Sequence, residues 1–267
     1  MTTRFEGINR LYGNHAAATL KAAHVCVVGL GGVGSWAVES LARSGIGQLT
    51  LIDYDEVAES NINRQLPALD STIGQKKASV LQQRVLDINP ACECKVIDDY
   101  INTENLWDYF YSEQKKGGDY SLKYDFVIDA IDSIKFKAAL IYFCRRNKTP
   151  IITTGGAGGV TDPGTIKIKD LSRTVNDALA ARVRSQLRDE YGFTKNTQRY
   201  FGVECVYSDQ QKLYPDQKGG VSTRKPGVHG VHLDCRFGYG AASYVTASFA
   251  FFAVSRVIKK LLDSVDR

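Results

Sequence analysis

VCVVGLGGVGSWAVESLARSGIG, residues 25–47, is the stretch that decides the fold. Its first four residues are an apolar run of β-formers that feeds straight into a glycine turn. Beyond the turn, Trp36, Ala37, Leu41 and Ala42 recur at helical spacing. The segment therefore reads as strand, loop and helix. Gly29, Gly31 and Gly34 match the dinucleotide fingerprint, in which one glycine makes the turn, a second lets backbone approach phosphate, and a third lets helix pack on strand. Gly32 adds a fourth glycine to the loop. The helix N-terminus then offers unpaired N–H groups and a positive dipole end to an anion. A glycine turn with no ligand would carry the same pattern, so the loop alone does not decide function.

Working outward, QLTLIDYDEV is an alternating strand whose end carries Asp53 and Asp55. Asp53 lies 19 residues beyond Gly34, where an acidic side chain takes ribose hydroxyls. A polar loop and Gly74 follow, then a helix bearing Ala78, Leu81, Val85 and Ile88, stopped by Asn89 and Pro90. CKVIDDYI is the next strand, and residues 111–123 read as a solvated connection. YDFVIDAIDS is an apolar strand ending in Asp129 and Asp132, followed by a helix with its apolar face at Ala138, Ala139, Ile141 and Tyr142. TPIITTGGAGG is a buried strand opening into a second glycine loop.

Strands alternating with helices imply an α/β protein with a doubly wound, mainly parallel, Rossmann-like sheet through about residue 155. Beyond it the pattern changes to an antiparallel extension. TIKIKDLSRT alternates, NDALAARVRSQLRDEYG is a basic amphipathic helix with Leu179, Val183 and Leu187 inward, and GVECVYSDQ is a further strand. The expected division is 1–160 for nucleotide binding and 161–267 for a C-terminal part continuous with the same sheet. The Gly, Lys and Pro rich segment 215–230 reads as mobile.

Composition sets the limits. The 43% hydrophobic and 24% charged fractions are those of a soluble globular chain, and a net charge of +5 suits a polyanionic partner without demanding one. The N-terminus MTTRFEGINR has no apolar core, so the six scattered cysteines are expected to be reduced thiols in the cytoplasm. None forms a CxxC pair, which excludes paired zinc knuckles on spacing. Residues 237–255 carry no charge and approach the length of a bilayer span. Their Ser, Thr, Tyr and Gly content favours a buried element, with peripheral membrane association left open.

Four strand ends thus converge on one crevice: the first glycine loop, Asp53, Asp132 and Gly155–Gly159. Asn61, Arg64 and Gln65 directly follow the second strand, and Lys77 opens the next helix. Two cations, an amide and a carboxylate suit ATP with its magnesium better than a nicotinamide dinucleotide, because hydride transfer needs no phosphate clamp.

As a set, GxGGxG, DxD, NxxRQ, GxxK and DxxD resemble the adenylating superfamily of ubiquitin-activating enzymes and bacterial sulfur-carrier activators. The likeness implies that Asp53 holds ribose, Asn61 and Arg64 approach the phosphates, Lys77 neutralises them and Asp132 assists magnesium. It also implies a homodimer in which Arg10 reaches the neighbouring subunit's nucleotide. The sulfur-carrier activators bear two CxxC pairs for zinc, absent here, and the ubiquitin branch needs a separate cysteine domain for which there is no room.

Over nearly its whole length, through RLYG, IDAIDS, CRRNK, TTGGAGG, GVECVYS and LDCRFGYGAA, the chain resembles the tRNA threonylcarbamoyladenosine dehydratases. That likeness implies attack by the threonylcarbamoyl carboxylate of adenosine 37 on the α-phosphorus of ATP, loss of pyrophosphate, and ring closure that expels AMP. It leaves room for a sulfur-transfer protein partner. Lys167, Lys169, Arg173, Arg182, Arg184, Arg188, Lys195 and Arg199 form a candidate tRNA face, against the plainer reading of a solvated charged surface. Cys235, preceded by His229 and His232, and Cys205 are candidate thioester nucleophiles, against a structural role. Activation of a ubiquitin-like sulfur-carrier protein is the alternative function.

Overall fold

The computed structural model describes residues 3–113, 120–216, 219–224 and 240–264. Helices α1 (Glu6–Tyr12) and α2 (Ala16–Ala22) precede β1 (His24–Val28), α3 (Gly34–Arg43) and β2 (Gln48–Ile52). Helix α4 (Lys77–Ile88) leads to β3 (Glu93–Ile97), and α5 (Leu106–Phe110) to the antiparallel pair β4 (Tyr111–Glu113) and β5 (Tyr120–Leu122). Next come β6 (Phe126–Asp129), α6 (Ile134–Arg146), β7 (Ile151–Thr154) and β8 (Ile166–Asp170). The chain continues through α7 (Ala178–Glu190), β9 (Glu204–Ser208), a second small pair, β10 (Tyr214–Pro215) with β11 (Val221–Ser222), and α8 (Ser243–Asp263).

Seven strands form one sheet in the order β3-β2-β1-β6-β7-β9-β8. All neighbours are parallel except β8, which runs antiparallel to β9 at the edge. The chain steps outward from β1 to β3, then returns to lay β6 on the other side of β1. The loops after β1 and β6 therefore diverge and leave a crevice at the strands' carboxyl ends.

The β1 side chains alternate between two cores, which is why the run has no polar face. Val25 and Val27 pack with Leu41, Ala78 and Phe249 under α3, α4 and α8. Cys26 and Val28 pack with Ala138, Ile141, Val183 and Leu187 under α6 and α7.

Several expectations are refined. In the C-terminal extension β8 and the small β10/β11 pair are antiparallel, whereas β9 is parallel to β7, so GVECVYS continues the main sheet. On α6, Leu140 and Cys144 face inward and Tyr142 turns out to meet the Tyr191 ring at 4.8 Å. On α7, Leu179 packs part-buried on the same core as Val183 and Leu187, and Ala180 is fully buried beside it. The Asp177 carboxylate caps the helix on the Ala180 N–H (2.8 Å) and so sets its rotation. The connection at 111–123 contains the β4/β5 pair.

Residues 243–255 of the long uncharged stretch lie in α8, whose Val245, Phe249, Ala250, Ala253 and Val254 close one core. Among the described residues no helix is long and apolar enough to cross a membrane. The expected apolar surface for peripheral membrane association is mostly inside; Tyr244, Phe251 and Phe252 are its exposed remainder.

Candidate functional site

Packing alone explains two of the loop glycines. Gly29 has φ +84°, and a Cβ there would lie 2.8 Å from the Ala130 carbonyl oxygen, so β1 and β6 can approach only around glycine. A Cβ on Gly34 would fall 1.7 Å from the Gly29 carbonyl oxygen, which fixes the first turn of α3 against the strand end. Gly31 is different. A Cβ there would meet nothing nearer than Gln65 Nε2 at 3.8 Å, so its glycine leaves open space in the crevice. Gly32 passes under Thr246 and beside the stem of Arg64.

Asp53, at the end of β2, accepts from the Leu30 N–H (2.5 Å) with one oxygen and from the Asp55 N–H (2.8 Å) with the other. Burial raises its carboxyl above the ordinary range, against the pull of those N–H groups and of Lys77. Asp53 thereby ties the glycine loop to the second strand. Lys77, almost fully buried at the start of α4, donates to Asp55 Oδ2 at 2.8 Å. The resemblance placed Lys77 on phosphate; the structure shows what holds its ammonium at the crevice.

The segment after β2 folds over the loop. Asn61 is buried, its Oδ1 accepting from the Ala58 N–H (3.2 Å) and its carbonyl from the Arg64 and Gln65 N–H groups. The Arg64 carbonyl receives Trp36 Nε1 (3.2 Å) and Thr246 Oγ1 (3.0 Å), which fastens the segment to α3 and α8. Arg64 Nη1 donates to the Ser60 carbonyl and to Asn63 Oδ1. Gln65 is buried with Oε1 lacking any hydrogen-bond partner among the described residues. A buried amide oxygen left unmet is rare in a folded chain, and the same side chain's Nε2 borders the space at Gly31.

Asp132 is exposed after β6. Tyr54, which the sequence did not single out, reports how the carboxylates converge: Asp55, then burial, then Asp53 and Asp132 raise its phenol above the ordinary value. Asp132 together with phosphate oxygens is a donor set suited to magnesium, which takes one or two carboxylates and otherwise substrate phosphate and water.

Sequence reasoning also missed the polar groups beneath the second glycine loop. Asp129 and Lys137 form a buried pair (3.0 Å), with Thr153 Oγ1 donating to Asp129 Oδ2 (2.6 Å). A Cβ on Gly155 would lie 2.2 Å from Asp177 Oδ2, so this glycine makes room for a carboxylate of its own chain. The helical spacing of α7 could have flagged Asp177 as a cap; nothing in the sequence announces Lys212, whose ammonium is buried against the Gly156 carbonyl (2.6 Å).

Other expected site residues lie elsewhere. Arg10 pairs with Glu6 (3.2 Å) on the exposed face of α1. Lys167 pairs with Asp209. Arg173 donates to the Thr197 and Gln198 carbonyls and stacks on the Tyr200 ring (4.6 Å). Arg184 donates to Thr174 Oγ1, and Arg188 to the Thr194 carbonyl (3.3 Å). These four basic side chains are engaged within the fold, whereas Arg182 is exposed. Cys205 is wholly buried in β9, and burial pushes its thiol up, which removes the conditions a nucleophile needs. Cys235, with His229 and His232, lies outside the described residues.

A switch-point crevice with a glycine loop open at Gly31, a carboxylate at the next strand end and a poised lysine defines an α/β nucleotide-binding protein. The chain belongs to the ThiF family, whose pattern matches residues 7–266. It is 52% identical to the tRNA threonylcarbamoyladenosine dehydratase of Haemophilus influenzae, covering 97% of this chain and 93% of that protein. It is 47% identical to the enzyme of the same name from Escherichia coli, covering 99% and 95%. The crystal structure of E. coli tRNA N6-threonylcarbamoyladenosine dehydratase in complex with ATP superposes with a TM-score of 0.84 at 45% identity, covering 99% of this chain and 96% of that one.

Proposed function

We propose that this chain is an ATP-dependent tRNA-modifying enzyme that dehydrates threonylcarbamoyladenosine at position 37 of tRNA to its cyclic form through an acyl adenylate. The observation that carries this reading is the open space at Gly31 beside a loop bonded to Asp53, with Lys77 held on Asp55, in a chain that matches such an enzyme over 97% of its length.

A carboxylate does not lose hydroxide readily, so the acid must first acquire a better leaving group. Gly31 leaves room for the phosphates beside the loop, and Asp53 presents its carboxylate to the ribose. Arg64 and Lys77 face the charge that grows on departing pyrophosphate. Magnesium, when bound by Asp132 and phosphate oxygens, supplies further charge neutralisation. The carbamoyl group of the modification then closes on the activated carbonyl and AMP departs. No enzyme nucleophile is required, in keeping with the burial of Cys205.

Residues 167–200 hold eight Lys and Arg against four Asp and Glu, so four of the five net positive charges of the chain reside there. This concentration supports a tRNA face around Arg182, Lys195 and Arg199, braced from behind by Arg173, Arg184 and Arg188. A tRNA substrate and reduced thiols go with a cytoplasmic location. The exposed Tyr244, Phe251 and Phe252 of α8 support a homodimer.

Mass spectrometry of nucleosides from threonylcarbamoylated tRNA incubated with the protein tests the function. We expect loss of one water that depends on ATP and releases AMP. Inert tRNA, with pyrophosphate exchange appearing only when a small protein with a C-terminal glycine is added, would assign the chain to carrier-protein activation.

A further inference from the structure

The nucleotide contacts proposed above come from β1, β2, the segment 61–77 and the end of β6. The ends of β7 and β9 contribute none of them, yet they carry the most elaborate polar construction in the crevice. Gly156 has both backbone groups held by opposite charges: its N–H donates to Asp177 Oδ2 (2.9 Å) and its carbonyl accepts from Lys212 Nζ (2.6 Å). On the far side of the loop, the Leu213 N–H donates to the Gly159 carbonyl (2.9 Å), and the Gly159 N–H to the Gly240 carbonyl (2.8 Å).

Between these anchors, the successive N–H groups of Ala157 and Gly158 have no hydrogen-bond partner among the described residues. Both residues are half-buried. Consecutive backbone N–H groups with a cation close behind make an anion-binding concavity. Lys212 is only 6% exposed, and burying its ammonium is costly enough to lower its proton affinity despite attraction to Asp177. A neutral amide could brace one carbonyl at less cost. The charge itself is therefore the informative feature.

We infer that the Ala157–Gly158 N–H pair, held in place by the Lys212–Gly156–Asp177 clamp, is the subsite for the carboxylate of the acid that ATP activates. The inference rests on the adenylation reading above and assigns the β7–β9 end of the crevice to the acceptor. An anionic acid approaching an anionic phosphate needs hydrogen-bond donors on its own side, and the two N–H groups supply them, while Lys212 and Asp177, one charge of each sign, hold the loop that presents them. Lys212 acts through the loop as a positioning residue; the two N–H groups make the contact.

The test compares Lys212→Met and Lys212→Arg with the wild type. Lys212→Met should lower kcat/KM for threonylcarbamoylated tRNA by about tenfold or more, the size of one charge-assisted hydrogen bond. Most of that loss should appear in KM, with ATP affinity by calorimetry essentially unchanged, and Lys212→Arg should recover much of it. Equal losses in ATP and tRNA affinity, or no loss in either, would overturn the assignment. Should Lys212→Met not fold, binding of the free threonylcarbamoyladenosine nucleoside to wild type is compared with that of its carboxamide. The acid should bind about tenfold more tightly; equal binding would overturn the subsite. Wild type that binds the acid preferentially but removes no water from tRNA would refute the dehydration and leave the subsite standing.

Discussion

Adding one methyl group to Gly34 and adding one to Gly31 should have opposite consequences, although both belong to the same sequence fingerprint. At Gly34 the new Cβ would meet the Gly29 carbonyl oxygen at 1.7 Å, and backbone cannot yield there without parting α3 from β1. Gly34→Ala should cost about 3 kcal/mol or more of stability by chemical denaturation. At Gly31 the methyl enters open space. Gly31→Ala should change stability by less than about 1 kcal/mol, through loss of unfolded-chain entropy alone, while weakening ATP binding measured by calorimetry. Equal destabilisation by the two would remove the claim that Gly31 serves the ligand. The sequence showed where the glycines were but could not sort them, because the neighbours of two of them are distant in the chain, Ala130 for Gly29 and Gln65 for Gly31, and that of Gly34 is set by how the loop folds back on Gly29. For the same reason Asp53, Arg64, Lys77 and Asp132 can be proposed from local motifs, whereas Lys212 cannot. Its significance comes from Gly156 and Asp177, both distant in the chain.

At the level of elements, the edge strand β8 depends on one carboxylate. Asp170 ends β8 and accepts from the N–H groups of Ser172 (2.9 Å), Phe201 (3.0 Å), Gly202 (2.7 Å) and Val203 (3.1 Å). It thereby joins the start of β9 to the turn that leads into α7. Burial raises its carboxyl, but these hydrogen bonds outweigh burial and hold it below the ordinary value of 3.8. Because the folded value is the depressed one, the stabilisation is complete above 3.8 and is lost as pH falls below it. Asp170→Asn should cost about 1 kcal/mol near neutral pH, a modest figure because the carboxylate is half exposed and screened. The gap between variant and wild type in denaturant titrations should close in acid; a gap independent of pH would contradict the role. Strand and helix periods were enough to predict β8, α7 and β9. They could not show that β9 runs parallel to β7, since the direction of a strand in the sheet depends on the path of α7 and not on its own residues.

For the whole molecule, mixing variants tests whether one chain completes the crevice. Arg10 sits on α1 paired with Glu6 and makes no contact with the crevice residues of its own chain among the described hydrogen bonds and ion pairs. The exposed Tyr244 and Phe251 of α8 and Leu11 and Tyr12 of α1 are apolar surface of the kind a second copy covers. If a dimer forms there and Arg10 enters the partner's nucleotide site, two inactive variants should rescue each other. Arg10→Ala lacks the arginine and Lys77→Ala the lysine. In a mixed dimer, the Arg10→Ala subunit keeps its own Lys77 and borrows Arg10 from its partner, while the other site lacks both. Random exchange makes half the dimers mixed, each with one working site, so activity should return to about a quarter of wild type. An arginine acting within its own chain would give no recovery on mixing, because every site would then lack one of the two cations. Phe251→Asp, on the exposed apolar surface of α8, should abolish both the recovery and the doubled mass that light scattering of the wild type should give. Recovery that survives in a monomer would exclude the shared site.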